Sequence, residues 1–330
     1  MINMTKKERI LAALNYQEVD RIPFSVWLHF PDQDQDPISL AETQVNFMKK
    51  FDLDFIKLMP FGLYGVQDWG CKIKIFSTKL EPAIVDKYAI KDVEDWGRIE
   101  VHPAYYGTLG KQVQLVQHVK KLLNSEDTPF VQTIFSPLTT ARKLGGDRIF
   151  ADIKENPDLI HAALQVITET TINFIKENID SGVSGFFFAT QCATTDLMTP
   201  QQYEEFGVKY DLQLFDVFKD KTYFNIIHIH GQNTMFEMLA NYPGNCVNWH
   251  DRWVYPSISE ARRITDKCIL GGINENAVLL KASPEEIQQH VDEAVQSAGR
   301  KGFILGPGCC ADPATPDVNY YAARIATQNY

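Results

Sequence analysis

Tyr223-Phe224-Asn225-Ile226-Ile227-His228-Ile229-His230-Gly231, followed by a helix-period stretch at 234–241 and then Cys246-Val247-Asn248-Trp249-His250, decides the fold of this chain. Two apolar β-rich runs on either side of one short amphipathic segment form a β-α-β unit. The same alternation extends in both directions. Strand-like runs fall at 22–27, 55–59, 130–135, 185–190, 223–230, 246–250, 268–273 and 302–305, which makes eight. Helical stretches at 40–51, 157–180, 200–219, 234–241, 259–266, 284–299 and 316–326 separate them, after an opening helix from a Thr5-Lys6-Lys7-Glu8 capping box through Leu14. Asn156-Pro157, Thr199-Pro200, Ser283-Pro284 and Thr315-Pro316 each read as a capping side chain with proline in the first turn. Eight strands alternating with helices predict an α/β fold of one kind, a single closed (β/α)8 TIM barrel. A doubly wound open sheet is the competing reading. No Gly-x-Gly-x-x-Gly follows a strand, so no nucleotide-cradling loop supports it. Residues 61–127, between the second and third runs, are too long for one crossover. They are expected to hold an excursion (71–88) and a helix (109–123), within one domain spanning 1–330.

Composition narrows the function. The 330 residues carry 32 Lys+Arg against 42 Asp+Glu, a formal net charge of −10 with no basic run. Clustered lysine and arginine are what release counterions from a polyanion, so no nucleic-acid partner is expected. No stretch approaches the ~18 uninterrupted apolar residues of a membrane span, and the first residues lack the apolar core of a secretory leader. Six cysteines (71, 192, 246, 268, 309 and 310) show no disulfide framework. The expectation is a reduced, cytoplasmic chain without a membrane partner.

In a barrel of this type the chemistry sits at the C-terminal ends of the strands. The polar residues there are His29, Lys57, Gln191, His228, His230, His250, Asp251, Asn274, Glu275, Cys309 and Cys310. Alternation along a strand places His228 and His230 on one face, ~6.6 Å apart at ~3.3 Å per residue, close enough to converge on one ion. Cys309 or Cys310, after the last strand, offers a third ligand of the kind zinc accepts. The plain alternative is a histidine pair that only fills the barrel. His250-Asp251-Arg252 reads either as an acid/base set or as a surface ion pair. Lys57 reads as a carboxylate anchor inside the mouth or as a side chain snorkelling outward. Phe186, Phe187 and Phe188 read as core.

Several stretches together carry a resemblance. They are Lys6-Lys7-Glu8-Arg9-Ile10-Leu11-Ala12-Ala13-Leu14, Asp20-Arg21-Ile22-Pro23, Ser136-Pro137-Leu138-Thr139, Leu270-Gly271-Gly272-Ile273-Asn274-Glu275, and Gly308-Cys309 with Thr315-Pro316. With them the chain resembles, over nearly its whole length, the uroporphyrinogen decarboxylase superfamily. This superfamily of (β/α)8 barrels includes the cofactor-free decarboxylases of porphyrin biosynthesis and zinc-dependent methylcobamide:thiol methyltransferases. The decarboxylases hold porphyrinogen carboxylates with an Arg-Gln-Ala-Gly-Arg stretch after the first strand. Here that region reads Val26-Trp27-Leu28-His29-Phe30-Pro31-Asp32. Their essential aspartate falls near Phe61, their loop tyrosine near Lys143 and their late histidine on Cys309.

The methyltransferase branch uses His-x-Cys on the fifth strand and a cysteine on the eighth as zinc ligands. The resemblance therefore implies Zn2+ on His228, His230 and Cys309, with His230 in place of a cysteine. It also implies a methylcorrinoid donor carried on a partner protein, and a thiol acceptor. Asp251, Asn274 and Glu275 are the expected catalytic residues shaping the mouth, and a homodimer is a further candidate assembly. Uroporphyrinogen decarboxylase is the alternative reading. A metal-dependent amidohydrolase stands third, because it would place His-x-His on the first strand, and a barrel serving only as a binding protein is the non-enzymatic option.

Overall fold

The structure is a computed structural model that describes residues 3–76, 78–124 and 127–330. Strands run β1 (Ile56–Lys57), β2 (Lys72–Lys74), β3 (Ile84–Lys87), β4 (Phe130–Phe135), β5 (Gly185–Thr190), β6 (Ile226–Ile229), β7 (Cys246–Trp249), β8 (Cys268–Ile273) and β9 (Phe303–Pro307). Seven of them form one curled parallel sheet in the order β1-β4-β5-β6-β7-β8-β9, each consecutive pair joined by a helical crossover. β2 and β3 pair antiparallel with each other, apart from that sheet. They lie in the long connection between β1 and β4, which continues through a 3-10 turn, Val93–Arg98, and the helix Gly107–Leu123.

The sheet has seven strands where eight were expected. Residues 22–28 run beside β9 and the turn that follows it, with isolated bridges from Phe24 to Leu305 on β9 and from Leu28 to Ala311 beyond it. The reason is chemical. Pro23 has no N–H to give a ladder, and the Phe24 N–H goes sideways to the Asp54 carboxylate at 2.7 Å. What pairing remains is the Ser25 N–H on the Leu305 carbonyl (3.1 Å), the Leu305 N–H on the Pro23 carbonyl (2.8 Å) and, past β9, the Ala311 N–H on the Trp27 carbonyl (2.8 Å). On its other side the segment accepts the Asp54 N–H at Phe24 O (2.7 Å) and donates Ser25 Oγ to Phe55 O (2.8 Å).

Local sequence explains most helix starts. Thr5 with Glu8, Thr199 with Gln202 and Ser283 with Glu286 each close a reciprocal capping box that satisfies two otherwise orphaned backbone donors. Asn156 and Thr315 do not cap. Pro157–Asp180 follows directly on the helix Ile149–Glu155, so Asn156 closes one helix while opening the next; at Asp317–Ala326 the capping position is Pro316, which has no side-chain acceptor. The helix expected at 200–219 carries a wide π-type turn at Glu204–Val208.

Alternation along β5 sorts the three phenylalanines. Phe186 and Phe188 face outward onto the crossover helix, each with ring centroids 4.9 Å from Phe218 and Phe215 respectively. Phe187 faces inward, against Trp27 at 5.6 Å and His228 at 4.9 Å. It is buried like the others, but it also walls a cavity at the strand ends. On β8, Gly272 sits at φ +97°, and a Cβ there would lie 2.8 Å from the Ala294 Cβ. Its absence lets the sheet approach the helix Pro284–Ala298 closely.

Candidate metal centre

The parallel register of β6 and β7 sets His228 beside Asn248. Asn248 is fully buried, and its amide nitrogen donates to the carbonyls of Leu270 (2.8 Å) and Pro307 (3.0 Å). With both amide hydrogens committed, its oxygen is left to accept from His228 Nδ1–H, at 2.6 Å. The tautomer is thereby fixed: His228 Nε2 keeps its lone pair, and it faces Cys309 Sγ at 3.8 Å. His230 follows on the same face, with Nδ1 3.7 Å from the same sulfur. The three ligand atoms of His228, His230 and Cys309 all lie within 4.8 Å of one another. Cys309 rather than Cys310 has its sulfur against both imidazoles; Cys310 lines the adjoining cavity.

Burial and the neighbouring imidazoles hold His228 well below the ordinary histidine value. Burial, with His250 next, brings His230 down to about 4. Both rings are therefore neutral near pH 7, the form that binds metal. A hydrogen bond with Cys310, together with burial, keeps the Cys309 thiol well above its usual range.

Gly306-Pro307-Gly308 delivers the cysteine. A Cβ on Gly308 would stand 2.8 Å from both His250 Cα and the Trp249 carbonyl, and backbone atoms cannot swing aside. Gly308→Ala is accordingly expected to lift Cys309 away and weaken zinc binding about tenfold or more, read by competition with a chromogenic chelator. Replacing Asn248 by leucine frees the His228 ring and should cost roughly 10–100-fold in zinc affinity with little change in fold, as circular dichroism would confirm. Unchanged affinity in the leucine variant would show that the tautomer lock is irrelevant to binding.

Of the expected catalytic residues, Glu275 alone joins this cluster. Its Oε1 accepts from His250 Nδ1 at 3.0 Å, while His250 Nε2 lies 3.2 Å from His230 Nδ1. Glu275 Oε2 is buried with no hydrogen-bond partner among the described residues. The Asp251 carboxylate turns away to accept the Gly272 N–H, at 3.1 and 3.0 Å, and burial pushes its pKa up to about 7. Asn274 Oδ1 accepts the N–H groups of Asn276 and Ala277, forming a turn. Sequence reasoning passed over Asn248 as a site residue, although its place in the seventh run, matched in register to His228 in the sixth, was a usable signal. Lys143 entered only as the position of a family tyrosine.

A small cavity opens beside the cluster, lined by His228, Cys309 and Cys310 and walled by Trp27, Phe187 and Phe135. Two lysines reach it. Lys57 points inward and is buried, its Nζ touching Met59 Sδ and lying 4.5 Å from the Phe187 ring centre. Lys143 comes from the helix Pro137–Gly145. Its stem is partly exposed but its ammonium is enclosed, donating to the Gly62 carbonyl at 2.7 Å over the Phe135 ring. Burial lowers the pKa of both, Lys143 to about 7.

This is a parallel α/β protein whose strand ends gather two neutral imidazoles and a sulfur beside a small, mostly apolar cavity. The chain belongs to the uroporphyrinogen decarboxylase (URO-D) family, whose profile matches residues 5–330. It is 22% identical to methylcobamide:CoM methyltransferase MtbA of Methanosarcina mazei, covering 100% of this chain and 99% of that protein. It is 25% identical to the uroporphyrinogen decarboxylase of Coxiella burnetii, covering 98% and 95%. Among solved structures, a methyltransferase from Methanosarcina mazei superposes with a TM-score of 0.85 at 20% identity, over 99% of both chains. Identity this low does not separate the branches, so the choice between them falls to the site. Among the described residues, no helix is long and apolar enough to cross a membrane.

Proposed function

We propose that the chain is a zinc-dependent methyltransferase that moves a methyl group from a methylcorrinoid, carried on a partner protein, to a thiol. Further, we read the seven-stranded sheet together with residues 22–28 as one closed (β/α)8 barrel forming a single domain, with the site at its C-terminal mouth. The observation that carries the functional reading is the His228 tautomer, held by Asn248 so that a lone pair meets Cys309 Sγ and His230 Nδ1 within 4.8 Å. This donor set fits zinc: two nitrogens and one sulfur leave a fourth position open, as catalytic zinc sites do. When bound, zinc supplies the Lewis acidity that keeps a thiol ionised at neutral pH.

The chain's own residues do the rest. His228, His230 and Cys309 would hold the ion with a single negative charge, one fewer than a His-Cys-Cys set, which would leave it more positive toward a thiolate. Any proton on His230 Nδ1 has a place to go at His250 Nε2, whose other nitrogen is tied to the Glu275 carboxylate. Trp27, Phe187 and Phe135 give the cavity beside the sulfur apolar walls. In the transfer itself a sulfur–carbon bond forms as the cobalt–carbon bond breaks. The electron pair stays on cobalt, and the thiol proton leaves to solvent. The decarboxylase alternative lacks support of this kind, since no arginine among the described residues lines the cavity to meet a tetrapyrrole's carboxylates.

The reading is tested by thiol-dependent demethylation of free methylcobalamin, followed by its absorbance. Turnover is expected to vanish after chelation and to return with stoichiometric zinc. Turnover of uroporphyrinogen by the chelated protein, with none of methylcobalamin, would overturn it.

A further inference from the structure

Cys309 and Cys310 stand apart from the chain's other cysteines. Cys71, Cys192, Cys246 and Cys268 are buried, whereas this pair is partly exposed. Neighbours along an extended chain send their side chains to opposite faces. Cys309 and Cys310 instead both line the strand-end cavity, and their thiols hydrogen-bond to each other. The backbone explains how. The Gly308 N–H is held by the Ile273 carbonyl at 3.3 Å and the Ala311 N–H by the Trp27 carbonyl at 2.8 Å. Between these anchors, neither the Cys309 nor the Cys310 N–H reaches a backbone carbonyl among the described residues. The peptide unit joining the two cysteines therefore lies outside the sheet ladder, and it can rotate without breaking a ladder bond.

We propose that Cys309 and Cys310 are a thiol oxidation site, at which a peroxide joins the two in a disulfide between adjacent residues and so takes Cys309 from the metal. The oxidation stands on the pair itself, and its effect on the metal rests on the zinc reading. One sulfur attacks a peroxide oxygen, the O–O bond breaks, and a sulfenic acid forms with release of water. The second sulfur attacks the first, the S–S bond forms, and the hydroxyl leaves as another water. The two thiols together lose two electrons and two protons, and one hydrogen peroxide becomes two waters. A neighbour this close traps the sulfenic acid before it is oxidised further. Consecutive Cα atoms are ~3.8 Å apart, short of the ~4.4–6.8 Å usual across a disulfide, so the ring is strained and a dithiol reopens it. With its sulfur in the ring, Cys309 offers no thiolate. His228 and His230 alone are then one protein ligand short of a catalytic zinc set.

The tryptic peptide from Gly302 to Arg324 contains both cysteines and no other. Metal-free and zinc-loaded protein are each treated with hydrogen peroxide, alkylated, digested and weighed, and zinc release is followed with a chromogenic chelator. The peptide should become about 2 Da lighter than its reduced form, take up no alkylating agent and return to the reduced form with dithiothreitol. The zinc-loaded protein should lose its metal in step and rebind it after reduction. Cys310→Ser should yield no lightened peptide, gaining oxygen instead as Cys309 is driven to the sulfinic acid. A peptide of the unaltered protein that only gains oxygen, or two chains joined through it, overturns the proposal. So does a closed pair in protein that keeps its zinc. Protein that never binds zinc but closes the pair supports the oxidation site while the metal reading fails. Protein that binds zinc yet leaves the pair open when metal-free overturns the oxidation site while the metal reading stands.

Discussion

His228→Ala is expected to strip zinc from the purified protein and abolish methyl transfer while the fold survives. Structural zinc binds with roughly 10–16 kcal/mol spread over four ligands, so losing one costs about 3 kcal/mol, or roughly a hundredfold. Two further terms add to this. His228 is the proposed ligand whose ring is fixed by a buried side chain, with Nδ1 held at 2.6 Å by Asn248. Removing the ring also leaves the Asn248 oxygen buried without its donor. Metal analysis should fall from about one zinc per chain to under about a tenth after dialysis. Protons should also report on the site. Because burial holds His228 well below, and His230 at about 4, neither imidazole carries a proton to release near pH 7. The proton liberated on zinc binding comes from the cysteine pair, where Cys309 is kept protonated. Calorimetry in buffers of different ionisation enthalpy should therefore show about one proton released at pH 7, with no increase between pH 7 and 6 from histidine. Release climbing steeply over that interval, or zinc content indifferent to His228→Ala, would exclude these residues as the ligands.

The two histidines were legible because strand alternation is a rigid rule: a shared face follows from their spacing alone. Cys309 was legible only as one of two adjacent cysteines, since the turn after β9, not the strand period, decides which sulfur faces inward. Asp251 shows the limit of reading polar residues at strand ends. Its side chain leaves the mouth to bind the Gly272 backbone, a local hydrogen-bond choice that carries no sequence period. Lys143 was invisible as a site residue because it belongs to the helix Pro137–Gly145, an element the strand-by-strand reading left out. The first strand-like run failed for a different reason. Its apolar pattern is that of a strand, but its hydrogen bonds are diverted to a side chain from a neighbouring turn, and pattern does not encode that diversion.

That side chain, Asp54, is where stability should be most sensitive. Asp54 is fully buried and accepts four bonds: Arg9 Nη1 at 2.5 Å, Arg21 Nη1 at 2.6 Å, Arg21 Nη2 at 2.9 Å and the Phe24 N–H at 2.7 Å. Arg9 is shared with Asp20, but Arg21 is buried and its other carboxylate neighbour, Asp52, stands 3.7 Å away at the surface. Asp54→Ala therefore leaves a buried guanidinium without its main counter-charge and a backbone donor unsatisfied, for an expected loss of roughly 3–5 kcal/mol. The exposed pair Lys50–Asp317 is the internal control, and Asp317→Ala should cost under about 1 kcal/mol. Urea unfolding of both variants, compared at equal slope, makes the measurement. A loss below about 1 kcal/mol for Asp54→Ala would mean that the arginines find solvent or other partners, contrary to the burial seen here. The damage should also travel. Phe24 is anchored by Asp54, and Trp27, three residues on, walls the cavity beside His228 and Cys309. Loosening residues 22–28 should thus weaken thiol binding even where the protein stays folded. Asp317→Ala should leave thiol binding untouched.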